Sequence, residues 1–220
     1  MFVNRVKAQA LTGLVLDPIS SGLLFSASDR CYSNESKDTT MGMDIDTFVA
    51  RSLGKWRSQR SAHHLAFAHF EEIRSTIEIE GLDKHDPAVL ALCESQGIDI
   101  AAIATPFKMS WEGETDWNED DVLKGQTILV PVPSLDIANS GKLLRDQGYA
   151  ETIPAAGDYI LTPDGTFVLT TGYDRAAAEE KIWFASDNLR FRVSLIKTSD
   201  GKGVTTASLS SEVRVLPKAT

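Results

Sequence analysis

Short runs of strict apolar/polar alternation, separated by turn residues, constrain this chain more than any other feature. Ile73, Ser75, Ile77 and Ile79 share one face and Arg74, Thr76, Glu78 and Glu80 the other, the pattern of a half-exposed strand. Leu189, Phe191, Val193 and Leu195 alternate in the same way with Arg190, Arg192 and Ser194. Ile103, Thr105, Phe107, Met109 and Trp111 place five mostly large side chains on one face. Residues 127–132, hemmed by Pro131 and Pro133, read as a strand that ends at an edge or bulge, because proline has no N–H for a central ladder.

The turn signals join these runs into hairpins. Pro163-Asp164-Gly165 links 159–161 to 167–173, Ser186-Asp187-Asn188 links 181–184 to 189–197, and Ser199-Asp200-Gly201-Lys202-Gly203 returns the chain into 204–216. Many short strands at regular spacing predict a mainly β, antiparallel up-and-down barrel of the lipocalin kind, able to enclose one small ligand. Two short helices interrupt the pattern. Asp46 is the expected cap of one carrying Phe48, Val49 and Leu53 and stopping at Gly54, which would plug a barrel end. Asp86-Pro87 opens a second with Val89, Leu90 and Cys93, closed by Gly97.

The barrel is expected over residues 43–220, preceded by an extension over 1–42 that is disordered or a targeting segment. Residues 26–42 are polar and without period. The apolar stretch 11–25 is broken by Asp17 and Pro18 and falls short of the ~20 residues of a membrane helix, so no span is expected. It lacks a basic region followed by an uninterrupted apolar one, while Arg5, Lys7 and several serines leave a transit-type reading open.

A net charge of -9 argues against nucleic acid, which is gripped by clustered cations. Cys31 and Cys93 stand in unlike contexts, too few for a disulfide framework or a four-cysteine zinc site, and fit a reducing compartment. His63 and His64 are adjacent, so a strand sends them to opposite faces and no metal site is expected there. No G-x-S-x-G, Walker loop or G-x-G-x-x-G occurs.

One polar constellation stands out. A turn centred on Asp187 sets Glu180 across from Ser194, and one centred on Gly201 sets Glu212 across from Arg190. One face then gathers Glu180, Arg190, Arg192, Ser194 and Glu212. Periodicity alone leaves two readings of it: a solvated outer surface, or a lining of the barrel mouth where two guanidiniums grip two carboxylates of a ligand. A slip of one residue would send either glutamate to the other face. Trp111 and Trp117 offer flat surfaces to a conjugated ligand or fill core, whereas Trp56 and Trp183 read as core. Met109 shares the face of Trp111 and adapts to irregular ligand edges. Cys93 reads as apolar filling.

Several separated blocks resemble one family. Gly54-Lys55-Trp56-Arg57-Ser58-Gln59-Arg60 with His63-His64-Leu65-Ala66-Phe67, Met109-Ser110-Trp111-Glu112-Gly113, Leu129-Val130-Pro131-Val132-Pro133, Leu143-Leu144-Arg145 with Gly148-Tyr149-Ala150-Glu151, Glu179-Glu180-Lys181-Ile182-Trp183-Phe184-Ala185-Ser186 with Asn188-Leu189-Arg190-Phe191-Arg192, and Ser211-Glu212-Val213-Arg214 are similar to the S-type (CpcS/CpeS) phycobiliprotein lyases. The likeness covers about residues 43–216. It implies a lipocalin-like or fatty-acid-binding-protein-like barrel that holds a phycobilin, phycoerythrobilin or phycocyanobilin, and promotes its thioether attachment to a cysteine of a phycobiliprotein subunit. It implies that Glu180 and Glu212 act on the tetrapyrrole, with Arg190, Arg192, Ser194, Trp111, Met109 and Trp117 around it and no metal. It further implies a cyanobacterial cytoplasm or plastid stroma, and leaves a homodimer or a heterodimer with a paralogue open. The alternative function is a lipocalin-type carrier that binds a bilin or another hydrophobic ligand without forming a bond. Residues 1–42 have no counterpart in the family, and Gly172 stands where the resemblance predicts an acidic residue.

Overall fold

The computed structural model describes residues 42–115, 122–146, 155–173, 176–198 and 202–217. Almost all of the N-terminal extension, Trp117, and residues 199–201 of the third turn lie outside the described residues. Ten strands alternate in direction: β1 (Gly54–His64), β2 (His69–Gly81), β3 (Phe107–Thr115), β4 (Val122–Pro133), β5 (Ser140–Arg145), β6 (Ala155–Leu161), β7 (Phe167–Gly172), β8 (Ala176–Ser186), β9 (Leu189–Thr198) and β10 (Val204–Arg214). Each pairs antiparallel with its chain neighbours, and β1 pairs with β10 to close the barrel. The up-and-down barrel read from the turn spacing is what forms, and closure satisfies edges that an open sheet would leave unpaired.

Helix α1 (Ile45–Ser52) fills one end. Its cap is Asp44, not Asp46. Asp44 has the extended backbone a cap requires and accepts from Thr47 N at 2.8 Å, while Asp46, already inside the first turn, accepts from the N and Oγ1 of Thr105 at 2.9 and 2.6 Å. Ile45, Phe48 and Val49 enter the barrel beside Trp56, Ile79, Phe107 and Phe167, and Phe48 stacks on Phe167 with centroids 4.5 Å apart. Trp56 is wholly buried and its Nε1 donates to Ser52 O at 2.9 Å, tying the end of α1 to β1. Truncating such an indole to alanine removes about 3–5 kcal/mol. The chain leaves the helix through Gly54 at φ +109, where a side chain would be strained and would meet Arg214.

Helix α2 (Pro87–Ser95) lies outside the wall. Asp86 caps it, and Val89, Leu92 and Cys93 pack with Ile103 on Val130 and Leu144. Leu90 is exposed, because Leu92 takes the inward position. The expected run from Ile103 to Trp111 breaks at Pro106. Phe107 begins β3 and joins the interior cluster, whereas Ile103 belongs to the outer cluster under α2. In β4, Pro131 lies beyond the last β3 partner, since Phe107 pairs with Leu129, and Pro131 O accepts from Ala104 N at 2.9 Å. Its missing N–H therefore falls where no strand needs it, the edge position predicted for it.

Candidate functional site

Two irregularities aim the carboxylates inward. Ser186 pairs with Leu189 across the Asp187-Asn188 turn, a register that carried on unchanged would set Glu180 opposite outward-facing Leu195. The bulge between Phe184 and Ser186 removes one residue from the count and sets Glu180 opposite Ser194. In β10, Val204 pairs with Lys197, which would lead Glu212 to Leu189; the shift between Val204 and Thr206 sets it opposite Arg190. Both pairings are those a turn centred on Asp187 or Gly201 predicts, reached through a register shift in each hairpin.

Arg190, Arg192 and Ser194 point into the barrel from β9, so the solvated-surface reading of this face does not describe the structure. Arg190 and Glu212 are each 1% exposed and ion-paired through Nε and Oε2. Arg192 Nε lies 3.3 Å from the other Glu212 oxygen, and Arg192 Nη1 lies 3.4 Å from Glu180 Oε1. Ser194 Oγ donates to the same Glu180 oxygen at 3.5 Å. Arg145, entering from β5, completes the chain with Nη2 3.2 Å from Glu180 Oε2. Three guanidiniums thus share two carboxylates, a surplus of one positive charge within this network. The guanidinium of Arg190 also lies over the Trp56 ring, 4.5 Å from its centroid, with Arg214 at 4.2 Å.

Burial lowers Arg190 to about 10, against the opposing pull of Glu212. For Glu212 burial acts to raise the carboxyl, but Arg192 and Arg190 outweigh it and hold the group below its ordinary value. Glu212 is therefore an anion and hydrogen-bond acceptor at neutral pH. Two buried donors, Arg190 Nη2 and Arg145 Nε, have no acceptor among the described residues. A buried unmade hydrogen bond costs about 1–3 kcal/mol, so these two donors are costly to leave without an acceptor.

Next to the network lies a cavity of about 470 Å³, lined by Ile77, Met109, Trp111, Arg145, Arg192 and Glu212 among others. That volume falls within the roughly 300–1,000 Å³ of small-molecule sites. A space of about 200 Å³ shares Arg60 and Ser194 with it and extends to His64 and Ile196. Trp111 lies across Gly125, where a Cβ would collide with the indole, so glycine is what lets the ring lie flat on β4. A more open groove of about 540 Å³ includes outward residues Arg57, Gln59, Arg74 and Thr76 and has none of the buried guanidiniums.

Of the residues singled out in the sequence, Glu180, Glu212, Arg190, Arg192, Ser194, Met109 and Trp111 come together in the interior. Trp117 lies outside the described residues. Trp183, expected in the core, lies on the outer wall with its ring centroid 5.5 Å from that of Phe191, because the inward positions of β8 fall to Ile182 and Phe184. His63 and His64 part to opposite faces as expected; His64 Nε2 meets Glu71 at 3.1 Å and His63 packs on Phe70. Gly172 is exposed at the end of β7. Cys93 is buried and its thiol raised by that burial, away from the reactive form. Arg145 and Arg60 were missed. The signal for Arg145 was its place two residues after inward-facing Leu143 in a short alternating strand.

A closed ten-stranded antiparallel barrel with buried guanidiniums and carboxylates beside an internal cavity is the architecture of the lipocalin-like class. The model of the CpeS-like protein family matches residues 44–215, and the chain belongs to that family. It is 63% identical over 172 residues to Chromophore lyase CpcS/CpeS 3 of Trichodesmium erythraeum, covering 78% of this chain and 99% of that one. It is 53% identical to a putative phycoerythrobilin lyase CpeS of Microchaete diplosiphon, over 74% of this chain and 73% of that one. The solved structure of the S-type phycobiliprotein lyase CPES from Guillardia theta superimposes with a TM-score of 0.71 at 48% identity, covering 80% of this chain and 95% of that one.

Proposed function

We propose that the chain is a chromophore lyase that binds a phycobilin inside the barrel and promotes its thioether attachment to a cysteine of a phycobiliprotein subunit. The observation that carries this reading is the buried network of three guanidiniums and two carboxylates beside a cavity walled by Trp111 and Met109. A linear tetrapyrrole has two propionates for the guanidiniums, a conjugated plane for the indole, and pyrrole N–H donors for Glu180 and Glu212. The names of the relatives, a phycoerythrobilin lyase among them, point to the same substrate class.

In this mechanism Arg190 and Arg192 bind the propionates and fix the position of the tetrapyrrole. A proton delivered to the bilin makes its ethylidene carbon electrophilic, and the partner's thiolate adds there, so that the exocyclic C=C π bond is exchanged for the C–S bond and the added proton stays on the pigment. Glu180 is the residue we assign to proton handling; Glu212, already an anion, accepts hydrogen bonds from the pyrroles. The nucleophile in this reading belongs to the partner; Cys93, the cysteine among the described residues, is buried away from the cavity lining. Much of the acceleration comes from holding bilin and thiolate in one geometry. The setting we infer is one that holds phycobiliproteins, a cyanobacterial cytoplasm or a plastid stroma.

The test is to mix purified protein, phycobilin and an apo-phycobiliprotein subunit, then denature. A lyase leaves pigment covalently on the subunit. Pigment that is bound before denaturation and lost afterwards would make the protein a carrier.

A further inference from the structure

Resting on that reading, we propose that Arg145 is a positioning residue that holds Glu180 against the tetrapyrrole once a ligand carboxylate has taken Arg192. β5 brings Arg145 in from four strands away from β9 around the barrel. Glu180 divides its oxygens between the two walls: Oε2 faces Arg145 at 3.2 Å, and Oε1 meets Arg192 at 3.4 Å and Ser194 at 3.5 Å. The Oε1 contacts are at the long limit of hydrogen bonding and are the ones a propionate on Arg192 displaces. After that exchange, the ion pair with Arg145 still fixes the carboxylate through Oε2, with Oε1 turned toward the ligand.

The setting of Arg145 suits this task. It is buried and lines the cavity, so its pairing with Glu180 is shielded from water and salt. Its backbone is fixed by the next residue: Asp146 accepts from Thr127 Oγ1 at 2.8 Å and Ile128 N at 2.9 Å, pinning the end of β5 to β4.

The experiment compares the full chain with its R145A, R145K, E180Q and R145A/E180Q variants, using added phycobilin and an apo-subunit. R145A is expected to bind bilin but to shift its absorption in the way E180Q does, and to lower transfer about tenfold. R145K should recover part of the loss, because it restores charge without the forked geometry. The double variant should transfer no more slowly than E180Q alone, the signature of one residue acting through another. Wild-type spectrum and rate in R145A, loss of bilin binding in R145A, or a double variant slowed by the product of the single effects would each overturn the proposal. If R145A does not fold, the pair R145K and R145K/E180Q decides by the same comparison. A wild-type chain that binds no bilin fails at the earlier step and overturns the functional reading itself.

Discussion

Arg190 and Glu212 sit directly opposite each other on β9 and β10, and their ion pair is sealed from solvent. A pair buried this deeply contributes little net stability while intact, but removing one partner strands the other. Arg190→Ala is therefore expected to destabilise the barrel by about 3 kcal/mol. Urea unfolding checks the loss, and a bilin titration should show weaker binding by the same variant. Unchanged stability and binding would take Arg190 out of both roles.

The acid limb of stability follows from Glu212. Burial alone would raise its carboxyl, but Arg192 and Arg190 hold the folded value below the ordinary 4.5. Its contribution is thus complete above the unfolded value and disappears as pH falls through the lower folded one. Unfolding free energies of wild type and Glu212→Gln should draw together across the window in which pH falls below the ordinary 4.5 and through the lower folded value. A gap constant across that window contradicts the assignment.

The alkaline limb depends on Tyr159, which burial, with help from Asp46, pushes up to about 12. The fold favours the neutral phenol, so its contribution is complete below the ordinary value of 10 and is lost as pH rises toward 12. Tyr159→Phe should flatten that decline in a pH series of thermal unfolding. Arg190, lowered to about 10, acts with the opposite sign but is common to both proteins. Equal slopes in the two would show that another group governs the limb.

Gly125 keeps Trp111 flat. A methyl there meets the indole, so Gly125→Ala should tilt the ring into the cavity, weaken bilin binding and change the bound spectrum, at a stability loss of about 1–3 kcal/mol. A bound spectrum identical to wild type would mean that the ring does not touch the ligand.

The succession of hairpins and the alternation of β9 were legible in the sequence because alternation and turn chemistry are local; which face of β9 turns inward was not, since periodicity fits either side of the wall and only the resemblance favoured the interior. The pairing partners of Glu180 and Glu212 were legible too, although in each hairpin the pairing is reached through a register shift. Arg145 was not, because its partner is 35 residues away and only closure of the barrel brings β5 near β8. Trp183 misled for a similar reason: bulk marks an indole as core, while register decides which wall face it takes. Asp46 misled because it and Asp44 are both acidic residues at the helix start, and only the extended backbone of Asp44 allows the cap.

The most direct measurement of the central claim compares the affinity of the protein for a phycobilin and for its dimethyl ester, in which both propionates are neutral. Wild type should bind the free acid about a hundredfold more tightly, the order expected of two charge-assisted contacts. The preference should collapse in an Arg190→Ala, Arg192→Ala double variant. Equal affinity of wild type for acid and ester would contradict the account, because the buried guanidiniums would then not be reading the ligand's charge.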